Sequence, residues 1–140
     1  MAGWGTGSFD NEDAQGFLGR LKSLGIDDLR PILARAADQA DYLEAPESST
    51  AVAAAEVVAA LVVSAKGAAA EDGALPAVPR ELVDWISKDK SGAPPDLVYL
   101  ARRAVERVRT NSELKDLWLE AEGLNEWSAA LRDLEGRLNG

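Results

Sequence analysis

Ala51 to Ala65 is the stretch that most constrains this chain, because Glu56 and Ser64 are its only polar residues. So apolar a run has to leave water, yet it falls short of the roughly twenty residues a bilayer span needs. It predicts a helix buried among other helices, with its many alanines letting neighbours approach closely. Ser48, Ser49 and Thr50 offer N-terminal caps, and Lys66-Gly67 supplies a basic last turn followed by a glycine stop. Glu56 interrupts the run and has two readings. Glutamate is rarely fully buried, so the expected arrangement is one solvent-facing strip of Ala53, Glu56, Ala60 and Ser64. Buried without a partner, Glu56 would instead titrate abnormally and become a site residue.

The rest of the chain supplies helices to surround that run. Ala14, Phe17, Leu18, Leu21 and Leu24 keep helical spacing, with Asp10 or Asn11 placed as a cap and Gly25 as a stop. Leu29, Ile32, Leu33, Ala36, Ala40 and Leu43 form a second stripe that starts near Asp27 or Asp28, tolerates Pro31 in its first turn and breaks at Ala45-Pro46. Residues 68–79, with glycine, alanine and two prolines but little periodicity, read as a flexible surface loop. A short helix follows with Leu82, Val83, Trp85 and Ile86. Pro94-Pro95 then opens a longer one lined by Leu97, Leu100, Ala101, Ala104, Val105 and Val108. Asn111 or Ser112 caps the next, which carries Leu114, Leu117, Trp118 and Ala121, and Gly123 separates it from a last helix bearing Trp127, Leu131, Leu134 and Leu138. That pair predicts an antiparallel hairpin with Trp118 and Trp127 near its corner. No segment alternates as a strand does. The expected fold is all-α, one domain over residues 1–140, with six or seven helices around the Ala/Val-rich central one. A chain of 140 residues buries roughly two-thirds of its unfolded surface, enough for a core without staples.

The absence of Cys and His excludes disulfides, thiolate nucleophiles, zinc-type sites and histidine acid–base chemistry. No cofactor is expected. A net charge of −9, from 24 acidic and 15 basic residues, opposes binding to nucleic acid, which needs a basic surface. It suits either solubility or a basic protein partner. The first residues lack a basic stretch ahead of an apolar run, so neither a signal peptide nor a membrane role is expected and the cytoplasm is the expected location.

The N-terminal segment holds the first candidate site. Gly3, Gly5 and Gly7 alternate with Trp4 and other residues ahead of Phe9. Phosphate-cradling glycine loops need a preceding strand or a Gly-Lys-Ser/Thr sequence, and neither is present. The preferred reading is a docked arm, with glycines giving the turns and Trp4 and Phe9 as anchors. Asp10, Asn11, Glu12 and Asp13 offer hard oxygen ligands for calcium or magnesium, but adjacent residues cannot all face one ion, so helix capping and the helix dipole account for them better. The rows Glu113, Asp116, Glu120 and Glu81, Asp84 read as solvated faces. Arg102, Arg103, Arg107 and Arg109 form the densest basic patch. Arg102, Arg103 and Arg109 are within helical pairing distance of Glu106, and the alternatives are an anion clamp or an internal clasp on Asp10 to Asp13.

Gly3-Trp4-Gly5-Thr6-Gly7-Ser8-Phe9-Asp10-Asn11-Glu12-Asp13-Ala14 resembles the opening of a bacterial family catalogued as domain of unknown function number 4259, which typically begins Met-Gly-Ala-Trp-Gly-x-Gly-x-Phe-x-Asn-Asp. The chain departs from it in the order Ala2-Gly3 and in Glu12. Tyr42-Leu43-Glu44, Ala53 to Leu61, Asn111-Ser112-Glu113-Leu114 with Trp118, and Trp127 also resemble later family segments. The resemblance spans most of the chain and carries no activity, substrate or catalytic residue with it.

The functional expectation is therefore a non-enzymatic, acidic helical protein that works by interaction, with a basic protein as its partner. The alternative is a small-molecule or metal-dependent enzyme or sensor built from carboxylates and arginines. Asp10, Asn11, Asp13, Glu56, Arg102 and Arg103 are its candidate residues, and a deep pocket lined by them is its structural signature.

Overall fold

The computed structural model describes Phe9, residues 11–65, Leu82, Trp85 and residues 93–139. The arm residues Gly3, Trp4, Gly5 and Gly7, together with Asp10, the loop 68–79 and the carboxylates Glu81 and Asp84, lie outside the described residues. Six α-helices and one 3-10 turn are described: α1 Glu12–Arg20, the 3-10 turn Leu21–Ser23, α2 Ile26–Asp38, α3 Ala45–Ala65, α4 Pro95–Thr110, α5 Glu113–Glu120 and α6 Leu124–Leu138. The fold is all-α, with no strand among the described residues.

Local chemistry accounts for each start. The Asn11 carboxamide oxygen accepts the Ala14 N–H at 2.8 Å and caps α1, whose core face is Ala14, Phe17 and Leu18. Gly25 does not end that helix as its position suggested. The 3-10 turn intervenes, and Gly25 becomes the N-cap of α2, its N–H donating to the Asp28 carboxylate at 2.7 Å. Pro31 sits in the second turn of α2, not the first. There it removes the amide that would have met the Asp27 carbonyl, and the apolar face of Leu29, Leu33 and Ala36 holds the helix across the gap. The helix stops at Asp38, so buried Leu43 belongs to the extended link that follows.

α3 begins at Ala45, six residues earlier than its apolar run. Pro46 opens this helix because a first-turn residue needs no amide hydrogen. Ser48 and Thr50 do not cap it; their hydroxyls donate back to the carbonyls of Glu44 and Pro46 at 2.9 and 2.8 Å. With 21 residues the helix is long enough to cross a membrane by length and composition over Ala45–Val63, so shortness is not what argues against a span. Burial is: every residue from Ala51 to Leu61 is buried, and α3 packs against α1, α2, α4, α5 and α6. The expected solvent-facing strip is overturned, since Ala53, Glu56 and Ala60 are all buried. Small residues among these positions, with Ala101 and Ala104 buried on α4, let the surrounding helices approach α3 closely.

α4 lies against α2, α3 and α6, and α5 and α6 pack on one another as the expected hairpin. Trp85 donates its indole N–H to the Leu24 carbonyl at 2.8 Å, just ahead of α2. Phe9 packs against the core at its edge.

Candidate functional site

The start of α5 and the link between α2 and α3 are sewn together from both sides. The Ser112 hydroxyl caps α5, accepting the Lys115 N–H at 3.1 Å while donating to the Val108 carbonyl at 2.7 Å. One residue on, the Glu113 N–H donates to the Leu43 carbonyl at 2.8 Å and the Glu113 carboxylate accepts the Ala45 N–H at 2.8 Å. Glu113 therefore caps α3 across space, from a residue 68 positions away. From α4, Arg107 donates to three backbone carbonyls, those of Gln39, Asp41 and Asn111, the last two at 2.9 Å. These contacts fix residues 39–45 between α4 and α5.

The consequence is the placement of Tyr42. It is 52% exposed, and its hydroxyl donates to the Asp116 carboxylate. That hydrogen bond, then burial and the charges of Asp116, Glu113 and Glu120, push the Tyr42 hydroxyl up to about 12. Among the described residues Glu113, Asp116 and Glu120 form no ion pair, and neither do neighbouring Asp41 and Glu44. Asp116 and Glu120 are exposed and Glu113 is half-buried, so the expected solvated face is an acidic surface that also carries Tyr42. Its tyrosine was not among the candidate site residues read from the sequence and entered only through the family resemblance. The signal was present as an aromatic between two acids, Asp41-Tyr42-Leu43-Glu44, but spacing along the chain does not show that α5 brings three more.

The described sequence candidates lie elsewhere: Asn11 and Asp13 at the start of α1, Glu56 in α3, and Arg102 and Arg103 in α4. Asn11 is spent on capping and Asp13 is exposed on the first turn of α1. Glu56, 7% exposed, meets Arg137 of α6 through both carboxylate oxygens, at 2.5 and 3.2 Å. It is a buried ion-pair residue between two helices. Arg102 is exposed. Arg103 pairs with Asp38 and lies 5.8 Å over the Tyr99 ring, and Arg109 pairs with Glu135 at 2.9 Å. Among the described residues neither reaches along its helix to Glu106, and Arg103 does not clasp the segment after Asp10; the arginines join α4 to α2 and α6 instead. No group of three acidic side chains able to hold a metal ion occurs among the described residues.

A family model described as Domain of unknown function (DUF4259) matches residues 3–130. The chain belongs to the DUF4259 family. The match covers the link around Tyr42 and all of α5, so the acidic surface lies within the family region of this DUF4259 protein. The chain matches no curated protein and no solved structure.

Proposed function

We propose that this DUF4259 chain is a non-enzymatic, cytoplasmic interaction protein that docks a basic protein partner on the acidic surface around Tyr42. The observation that carries the reading is that exposed Tyr42 is held by Asp116 and flanked by Glu113 and Glu120, without a cation among the described residues to neutralise them. An exposed aromatic with its hydroxyl already satisfied gives a partner rigid contact area, which is the common character of interface hot spots. Carboxylates that form no ion pair among the described residues steer a positively charged surface and select against acidic ones. The overall charge of −9 works in the same direction at longer range.

Affinity capture from the native lysate tests this. The expected result is a basic protein retained in stoichiometric amount, released by raised salt, and lost when the bait carries Tyr42→Ala with Asp116→Asn and Glu120→Gln. A bait that returns no partner, or a partner retained equally by the triple variant, overturns the proposal.

A further inference from the structure

A second surface of opposite charge lies on the other side of α5. Where the end of α4, the body of α5 and the start of α6 meet, the structure has a solvent-open cavity, a shallow cleft of about 520 Å³. Three cationic side chains line it, Arg109, Lys115 and Arg132, and no lining residue is acidic. Lys115 and Asp116 are neighbours in sequence, but a helix turns about 100° per residue, so they project from different sides of α5.

The charges there are only partly compensated. Arg109 is held from outside the cavity by Glu135, its Nε 2.9 Å from the carboxylate. Lys115 donates to the Thr110 carbonyl at 3.2 Å, which anchors the ammonium without neutralising it. Neither Lys115 nor Arg132 has an ion-pair partner among the described residues. Asn125 and Ser128 add an amide and a hydroxyl to the same wall. α6 starts at this wall with Gly123 as its N-cap, so no side chain occupies the first-turn amides.

We propose that this cavity binds the phosphate group of a small molecule. Two uncompensated cations match the charge of a phosphomonoester near neutral pH, about −1.5 to −2, better than the single charge of a carboxylate. Guanidinium and ammonium groups with side-chain and backbone donors are the combination that recognises phosphate oxygens. A volume of about 520 Å³ exceeds what one phosphate fills and falls within the range of small-ligand sites. The same chain repels a nucleic acid. Screening at physiological ionic strength acts over about 8 Å, so a small anion inside the cavity responds to its lining, whereas a polyanion also meets the acidic surfaces beyond it. Inorganic phosphate, pyrophosphate and a nucleoside diphosphate share this chemistry and differ in what must fill the rest of the cavity.

The test is a titration of isotope-labelled full-length protein, followed by amide NMR, with inorganic phosphate, sodium pyrophosphate, adenosine diphosphate and, as control, sodium acetate. Saturable shifts confined to residues 109–115 and 124–132, with one or more phosphate probes and not with acetate, are expected. Tighter binding of the diphosphate than of pyrophosphate assigns the remaining volume to a nucleoside, and equal binding assigns the site to the phosphates alone. Lys115→Ala and Arg132→Ala, both on exposed or half-exposed side chains, should each weaken binding roughly tenfold or more while leaving the circular dichroism spectrum unchanged. Absence of saturation, shifts of equal size with acetate, or undiminished binding by the folded double variant overturns the proposal.

Discussion

Arg137 of α6 grips Glu56 of α3 in a two-point ion pair, with Nη1–Oε1 at 2.5 Å and Nη2–Oε2 at 3.2 Å, while its Nε reaches Asp133 at 3.0 Å. The pair joins the central helix to the last one through side chains that are nearly out of solvent. Desolvating two ions offsets much of their attraction, so the pair is worth little against an apolar pair of the same shape, yet removing Arg137 takes a two-point, charge-assisted contact from a buried carboxylate.

Arg137→Ala is accordingly expected to destabilise the fold by about 2–4 kcal/mol, and Glu56→Leu with Arg137→Leu by much less than the sum of the single changes. Urea denaturation of the parent, Arg137→Ala, the two single leucine variants and the double variant measures it. A single Arg137→Ala variant as stable as the parent would show that Glu56 is not dependent on this partner.

Much of the fold is legible along the chain because burial repeats with the helical period. Ala14, Phe17, Leu18 and Leu21, and later Leu97, Ala101, Ala104, Val105 and Val108, are buried where their spacing puts them. Boundaries are less legible because proline and glycine serve at either end of a helix. Pro46 and Gly25 read as breaks and prove to be starts. Partner choice is the least legible. Glu56 and Arg137 are 81 positions apart, and Tyr42 and Asp116 are 74 apart, so no local pattern links them. Glutamate's preference for water pointed Glu56 outward, and an arginine from a helix not yet placed in space reversed it. For the candidate site, the acidic character was readable from composition, whereas its focus on Tyr42 required the packing of α5 against the α2–α3 link.

The Tyr42 hydroxyl carries a pH signature. Its folded value is raised from 10.0 to about 12, so the folded state holds this proton more tightly than the unfolded chain does. The stabilisation is fully present below pH 10 and is lost as pH rises from about 10 through about 12. In a Tyr99→Phe background, which leaves Tyr42 as the sole tyrosine, tyrosinate absorbance should show a midpoint near 12, and Asp116→Asn should bring it down toward 10. Coincident titrations with and without Asp116 would remove the hydrogen bond as the cause.

At the α5–α6 corner two adjacent residues should respond oppositely. Gly123 leaves no room for a side chain: an added Cβ would come within 2.6 Å of the Trp118 ring. Gly123→Ala therefore has to push a buried indole, at a cost of about 1–3 kcal/mol, and should shift the tryptophan emission. Glu122 adopts the left-handed conformation, with φ 61°, so Glu122→Gly should be neutral or stabilising by up to about 1 kcal/mol. Thermal melts of the two variants that move in the same direction would contradict this reading of the turn.

Arg107 gives the sharpest test of how the acidic surface is held in place. Its guanidinium spreads over three carbonyls, of Gln39, Asp41 and Asn111, which a planar fork can reach together and a single ammonium cannot. Arg107→Lys keeps the charge and should still lose about 1 kcal/mol, from charge-assisted bonds left unmade, chiefly at the part-buried Gln39 carbonyl, since the bonds to Asp41 and Asn111 are exposed. The loss should be local as well as global. Hydrogen exchange is expected to quicken at residues 39–45 before it does in α3, because this link loses its hold on α4 while the central helix keeps its packing. Exchange that rises uniformly across the fold would mean that Arg107 supports the core and not the link that carries Tyr42.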